Sequence, residues 1–300
     1  MQANQHSKTA IAVAFYRAQH HLHDEPKLLD DPHAHRLLTA AEMTALSQWI
    51  VRAGLELGVA PGDPETVLAR ALRETTAAPT VLVRARYSED RLSRAIERGV
   101  AQYVLVGAGF DTFGFRRGDV RDRVEVFEMD HPQSQAVKRE RLAAAGLAIP
   151  PNLHFGTVDF ERESIADALG SLPFRSDRPA VFAWLGVIAY LTRAAIDGTL
   201  RTIGSIAARG SELVFDFLHP DALSESAPPS TRKILERVRA EGEPIITGLD
   251  PTTLGAELEA TGWTLIEQLD AAEIDRRYFA MRTDGYRARP LVHLACAGVV

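Results

Sequence analysis

The stretch VLVGAGFDTFGFR, residues 104–116, decides how this chain is read. An apolar run enters Gly107, Gly109 follows two positions later, and Thr112 stands where a third glycine would complete a G-x-G-x-x-G pattern. Glycines at the end of a buried strand let the backbone approach a ligand more closely than other residues allow. No Lys-Ser or Lys-Thr pair follows, which argues against a nucleoside-triphosphate loop. The third glycine of a dinucleotide fold permits close helix–strand packing, so its absence counts against NAD without removing it. Taken alone, G-x-G also fits a tight strand-to-helix turn that holds no ligand.

Outward from this turn, strands and helices alternate. QYVLVGAG (102–109), VEVFEMD (124–130), NLHFGTVDF (152–160), PAVFAWLGVIAYL (179–191), SELVFDFLH (211–219), WTLIEQLD (263–270) and LVHLACAGVV (291–300) each hold a strand. Between them, residues 131–146 form a helix opened by Pro132, residues 192–210 a helix capped by Thr192, and residues 250–262 a helix capped by Asp250. This alternation predicts an α/β fold with a Rossmann-like, doubly wound sheet of seven parallel strands. The first 98 residues read as helices: 9–21, a segment from Asp30 to Leu57 opened by aspartate caps, 64–76, and 86–99 stopped by Gly99. They are too short of independent core to stand alone. The chain is therefore expected to be one domain over 1–300, with a helical cap (1–98), a core (99–300) and a lid insertion at about 220–248.

Composition narrows the function. The chain has 300 residues, 46% hydrophobic content and a formal net charge of −6, from 34 basic and 40 acidic side chains without a basic block. That balance argues against nucleic acid as a partner. Cys296 is the single cysteine, which excludes an internal disulfide and fits a reducing cytoplasm. The N-terminal residues lack a secretory leader pattern, and no run of about 18 uncharged apolar residues predicts a membrane span. The histidine groups HHLH (20–23) and HAH (33–35) do not match a metal-ligand spacing, so no metal is expected, and helix-end solvation or substrate-lid positions account for them.

The runs QYVLVGAGFDTFGFR (102–116), VEVFEMDHPQSQAVKRERL (124–142), FGTVDF (155–160) and GVIAYL (186–191), in this order and spacing, resemble the leucine carboxyl methyltransferase-like family. That family is a branch of the class I S-adenosylmethionine-dependent methyltransferases and includes bacterial polyketide O-methyltransferases. AFYRAQHH (14–21), DDPHAHRLL (30–38) and VRARYSED (83–90) are similar to the same branch.

The resemblance implies S-adenosylmethionine as cofactor and assigns residues to it. Arg84, in preference to Arg86, faces the cofactor's carboxylate, which suits the guanidinium fork. Gly107, Ala108 and Gly109 bring the backbone against the methionyl part. Asp130, with His131 beside it, accepts both ribose hydroxyls, since a carboxylate has two acceptor oxygens. Asp159 and the amide of Phe160 meet the adenine. Leu185 is a departure: relatives carry a glutamate there that helps hold the cofactor's amino group, so an altered or weakened contact is expected. Trp184 and Tyr190 are candidates for the acceptor pocket, and His219 is the candidate general base. Asp111 reads as a helix N-cap.

The expected activity is methylation of a small molecule at a carboxylate or hydroxyl, in secondary metabolism. Methylation at carbon or nitrogen, or of a protein's C-terminal carboxylate, is the alternative; an NAD-dependent oxidoreductase and a non-catalytic binding module follow. A cytoplasmic homodimer is the expected assembly.

Overall fold

A computed structural model of the chain describes residues 8–160, 162–240 and 242–299; part of the N-terminal stretch read for a leader lies outside them. Four helices come first: α1 (Lys8–His23), α2 (Ala40–Glu56), α3 (Pro64–Thr75) and α4 (Ala78–Glu97). Helix α2 opens on a reciprocal cap, in which Thr39 accepts from the Glu42 amide and the Glu42 side chain accepts from the Thr39 amide. Asp30 and Asp31, expected to cap it, do not: a 3-10 turn over Ala34–Leu37 intervenes. Helix α4 starts eight residues before the expected Arg86, because its apolar residues face both the sheet and the cap.

The remaining elements alternate: β1 (Gln102–Val106), α5 (Phe113–Arg116), β2 (Glu125–Asp130), α6 (Pro132–Ala144), β3 (Leu153–Thr157), α7 (Ile165–Gly170), β4 (Val181–Trp184), α8 (Arg193–Ile206), β5 (Glu212–Leu218), α9 (Pro229–Ala240), α10 (Leu254–Glu259), β6 (Thr264–Leu269), α11 (Ala271–Ile274) and β7 (Val292–Gly298). Thr192 caps α8 by accepting from the Ala195 amide, as expected. Asp250 does not cap α10; it accepts from the Thr252 amide at 2.8 Å and closes the turn before that helix.

The sheet runs β3-β2-β1-β4-β5-β7-β6. It departs from the all-parallel expectation in β7, which is antiparallel to both β5 and β6. The connection from Leu269 to Val292 holds only the short α11 and a π turn over Asp275–Phe279. No helix lies back along the sheet, so the chain re-enters from the edge where β6 ended.

Strand alternation divides the core into two layers. Tyr103, Leu105, Val126, Val181, Ala183 and Val214 face α4. Val104, Val106, Phe127, Phe182, Trp184 and Phe215 face α8 and α10 on the other side. A smaller cluster, with Phe15, Ile50, Val67 and Val81, joins α1, α2 and α3 to the start of α4. In this way α4 carries the cap on one end and the sheet on the other.

Candidate active site

Sheets of this kind place ligands at the carboxyl ends of their strands, where β1 and β4 diverge. After β1, Gly107 and Gly109 take positive φ, at 76° and 51°. The Gly107 amide donates to the Met129 carbonyl at 2.8 Å. A Cβ at Gly107 would come within 2.5 Å of Val187 Cγ2, so this glycine lets the loop after β4 close on the turn. Asp130, at the end of β2, accepts from the Gly109 amide at 2.5 Å and from the His131 amide at 2.7 Å. Burial raises its carboxyl above the ordinary aspartate range, partly offset by those two amides. His131 caps α6 by accepting from the Gln133 amide. The Asp130 carbonyl accepts from Val158 at 2.9 Å, and Asp159 follows directly, which brings the two acids onto neighbouring strand ends. Phe160 packs against the α8-side core. The Asp159 amide donates to Glu163 at 2.8 Å, making this a closed turn.

Helix α1 roofs the glycine turn. Ala10 Cβ lies 3.5 Å from where a Gly109 Cβ would stand. Arg17 donates to Asp111 Oδ2 at 2.8 Å and pairs with Asp31 at 3.2 Å. Asp111 also caps the turn by accepting from the Phe113 amide at 2.6 Å. Burial works to raise the Asp111 carboxyl, but Arg17 and Arg116 outweigh it and hold it below the ordinary range. Thr112 donates to Asp31 at 2.6 Å. The residue that replaces the third glycine is therefore a buried tie between the turn and the cap.

On the other side of the turn, the end of β4 meets β5. Arg84 donates to Asp216 Oδ2 at 3.2 Å, and the Gly186 amide donates to Asp216 Oδ1 at 2.6 Å. Gly186 has φ 70°, and a Cβ there would overlap Arg84 Nη2, so the guanidinium lies against bare backbone. Arg86 turns away to Asp90 at 2.8 Å, which separates the two candidate arginines. Leu185 packs against the α4-side core beside this pair. Asp216 is a candidate site residue that sequence reasoning missed. Its signal was an acid inside the apolar run LVFDFL.

A cavity of about 730 Å³ opens next to the pair, lined by Arg84, Gly186, Val187, Tyr190 and Asp216 at one side. Its walls are apolar and come from α1, α2, α4 and α9, with Ile11, Tyr16, Trp49, Val81, Ile234 and Leu235 among them. Gly107, Gly109, Asp130 and Asp159 stay outside its lining. Burial raises the Tyr190 phenol above its ordinary range. One expected pocket residue and the candidate base lie elsewhere. Trp184 is fully buried in the α8-side core, because it shares strand parity with Phe182 rather than with Ala183. His219 does not line the cavity; it caps the short turn after β5 by accepting from the Asp221 amide at 3.1 Å. His20, read as helix-end solvation, is fully buried and bonded to Asp24 at 2.7 Å.

Residues 10–204 match the model of the family described as leucine carboxyl methyltransferase. The chain belongs to that family. Its relatives include YktD of Bacillus subtilis (strain 168), named for S-adenosyl-L-methionine-dependent methyl transfer, which is 31% identical over 98% of both chains. A similarly named protein of Saccharopolyspora erythraea is 31% identical over 73% of this chain and 69% of its own. Two crystal structures share the fold. One is a methyltransferase structure from Thermobifida fusca YX (TM-score 0.54, 18% identity, 88% of this chain and 92% of that one). The other is a DUF574-family protein from Streptomyces avermitilis MA-4680 (TM-score 0.51, 15% identity, 96% and 97%). Within this family frame, the glycine turn, Asp130 and the Arg84–Asp216 pair are the parts of the cleft that could hold a cofactor. Among the described residues, no helix is long and apolar enough to cross a membrane.

Proposed function

We propose that this family member transfers a methyl group to oxygen, carboxylate or hydroxyl, of a small apolar molecule in secondary metabolism. S-adenosylmethionine-dependent methyl transfer itself follows from the family and its relatives. The observation that carries the finer reading is the Arg84–Asp216 pair, set between the glycine turn and an apolar cavity. A methionyl end carries one carboxylate and one ammonium. Arg84 suits the first and Asp216 the second, and Asp216 supplies an acid beside Leu185. Asp130 holds the ribose diol, and the strand-end acid Asp159 with Phe160 meets the adenine.

Bound S-adenosylmethionine supplies a methyl group on a sulfonium, a leaving group that needs no proton. The protein's share is then alignment and exclusion of water, which the apolar walls and the α1 roof provide. No histidine lines the cavity among the described residues; of its acids, Asp216 is engaged by Arg84 and the Gly186 amide, Glu42 by Arg141, and Glu74 is exposed. This favours an acceptor oxygen that is ionised at neutral pH, for which no general base is needed. The test is Asp216→Asn. Losing one charge-assisted contact of about 1.5 kcal/mol or more weakens S-adenosylmethionine at least about tenfold by calorimetry. Unchanged affinity in the folded variant removes Asp216 from the cofactor site.

A further inference from the structure

Arg289 differs from every other deeply placed arginine described in this chain. Arg17, Arg84, Arg91, Arg116 and Arg282 each stand within ion-pair distance of a carboxylate. Arg289 pairs with no carboxylate among the described residues. It donates instead to three backbone carbonyls around the end of α3: Thr76 at 2.9 Å, Glu74 at 2.8 Å and Arg73 at 2.8 Å. A guanidinium has five N–H donors, so these bonds leave some of its capacity unused. Burial lowers its pKa to about 10, whereas the paired Arg17, Arg91 and Arg116 are raised. The carbonyls at a helix end favour a cation but do not replace a counter-charge.

This side chain lines the cavity, next to Thr76, Ala77 and Pro290. Ala77, Thr80, Val81 and Arg84 also line it, at the spacing of one helical face. From Ala77 to Arg84 that face runs two turns, roughly 10 Å. The cavity thus has an arginine at each end with mostly apolar walls between them, Lys8, Glu42 and Glu74 being further charged residues of its lining. The Arg84 end is ion-paired with Asp216, whereas the Arg289 end has the Glu74 carboxylate nearby but no ion pair to it among the described residues.

We propose that the cavity binds an elongated apolar acceptor with an anionic anchoring group that pairs with Arg289, about 10 Å from the Arg84–Asp216 end. The inference rests on the reading of this cavity as the acceptor pocket and adds the chemical class of its occupant. It assigns Arg289 to substrate recognition rather than to capping α3 alone. A desolvated guanidinium with spare donors binds a carboxylate through charge-assisted bonds.

The test uses octanoate and octan-1-ol, which share an eight-carbon skeleton and differ in the charge of the headgroup. Each is titrated calorimetrically into the full chain, Arg289→Gln and Arg289→Lys. The natural chain prefers octanoate by about ten- to hundredfold, the glutamine variant loses that preference, and the lysine variant keeps part of it. Octanoate no tighter than octan-1-ol, no binding of either, or a preference that survives in Arg289→Gln overturns the proposal. If the glutamine variant melts below the assay temperature, Arg289→Lys decides: a weakened preference supports the proposal, and an unchanged one overturns it. S-adenosylmethionine is titrated separately into the natural chain. Failure there with the octanoate preference intact defeats the acceptor-pocket reading and leaves the anion site standing.

Discussion

The glycine-turn cleft and the cavity beside it are built from different material. The cleft is made of strand ends and backbone: two positive-φ glycines, amides aimed at Asp130, and a bare Gly186 under Arg84. The cavity is walled by side chains from separate segments, from α1 at Ile11 to the strand-end region at Val292. A backbone-built site tolerates few substitutions, because its shape is also the shape of the fold. A side-chain-built site changes its occupant by replacing one wall residue while the frame stays intact. On the proposed reading, that division lets the frame keep its cofactor while the acceptor changes.

The tie between the two regions offers the largest effect. Asp31 is buried and meets both Arg17 and Thr112, joining the cap to the glycine turn. Asp31→Ala leaves the buried Arg17 with Asp111 alone and strips Thr112 of its acceptor, which costs about 1.5–3 kcal/mol of stability. Urea unfolding measures it; a loss below about 1 kcal/mol means the cap does not depend on this tie. Gly186→Ala acts on the cleft. A side chain at φ 70° is strained, and its Cβ would displace the Arg84 guanidinium. S-adenosylmethionine affinity falls about a hundredfold, as expected when two charge-assisted contacts are lost. Intact affinity by calorimetry would move the methionyl end away from the pair. The smallest effect belongs to His219, a turn cap outside the cavity. His219→Ala changes stability by about 0.5 kcal/mol and leaves methyl-transfer rate within about twofold. A drop of a hundredfold or more restores it as a general base.

The same contrast sets what the sequence makes legible. The turn at 107–109 and its neighbour Asp130 are readable as a strand-end turn because positive φ after a buried strand calls for glycine, and such strand ends are where this fold places ligands. Thr192 is readable as a cap because capping is local. Asp216 is not, since its carboxylate is useful only once β5 lies beside β4 and Arg84 arrives from a helix far away in sequence. Trp184 is misplaced because an aromatic after a buried strand names no face until its parity with Phe182 is known. The reversed direction of β7 is hidden for a similar reason: pairing direction lies in the path of the connection, not in the strand's composition. Arg289 resembles any surface arginine in the sequence, and only the cavity gives it a role.

The central claim is that the cofactor lies in the backbone-built cleft and the acceptor in the cavity. The most direct measurement is calorimetric titration of S-adenosylmethionine, and separately of octanoate, into the natural chain and Asp130→Ala. Asp130 borders the glycine turn and stays outside the cavity lining. The variant loses about tenfold or more of its S-adenosylmethionine affinity, from hydrogen bonds of about 1.5–3 kcal/mol to a charged acceptor, while octanoate binding is unchanged. Because burial raises the Asp130 carboxyl, the cofactor affinity of the natural chain depends on pH. It weakens on acidification sooner than an exposed aspartate would allow. Unchanged S-adenosylmethionine affinity in a folded Asp130→Ala chain, or equal loss of both ligands, contradicts the account.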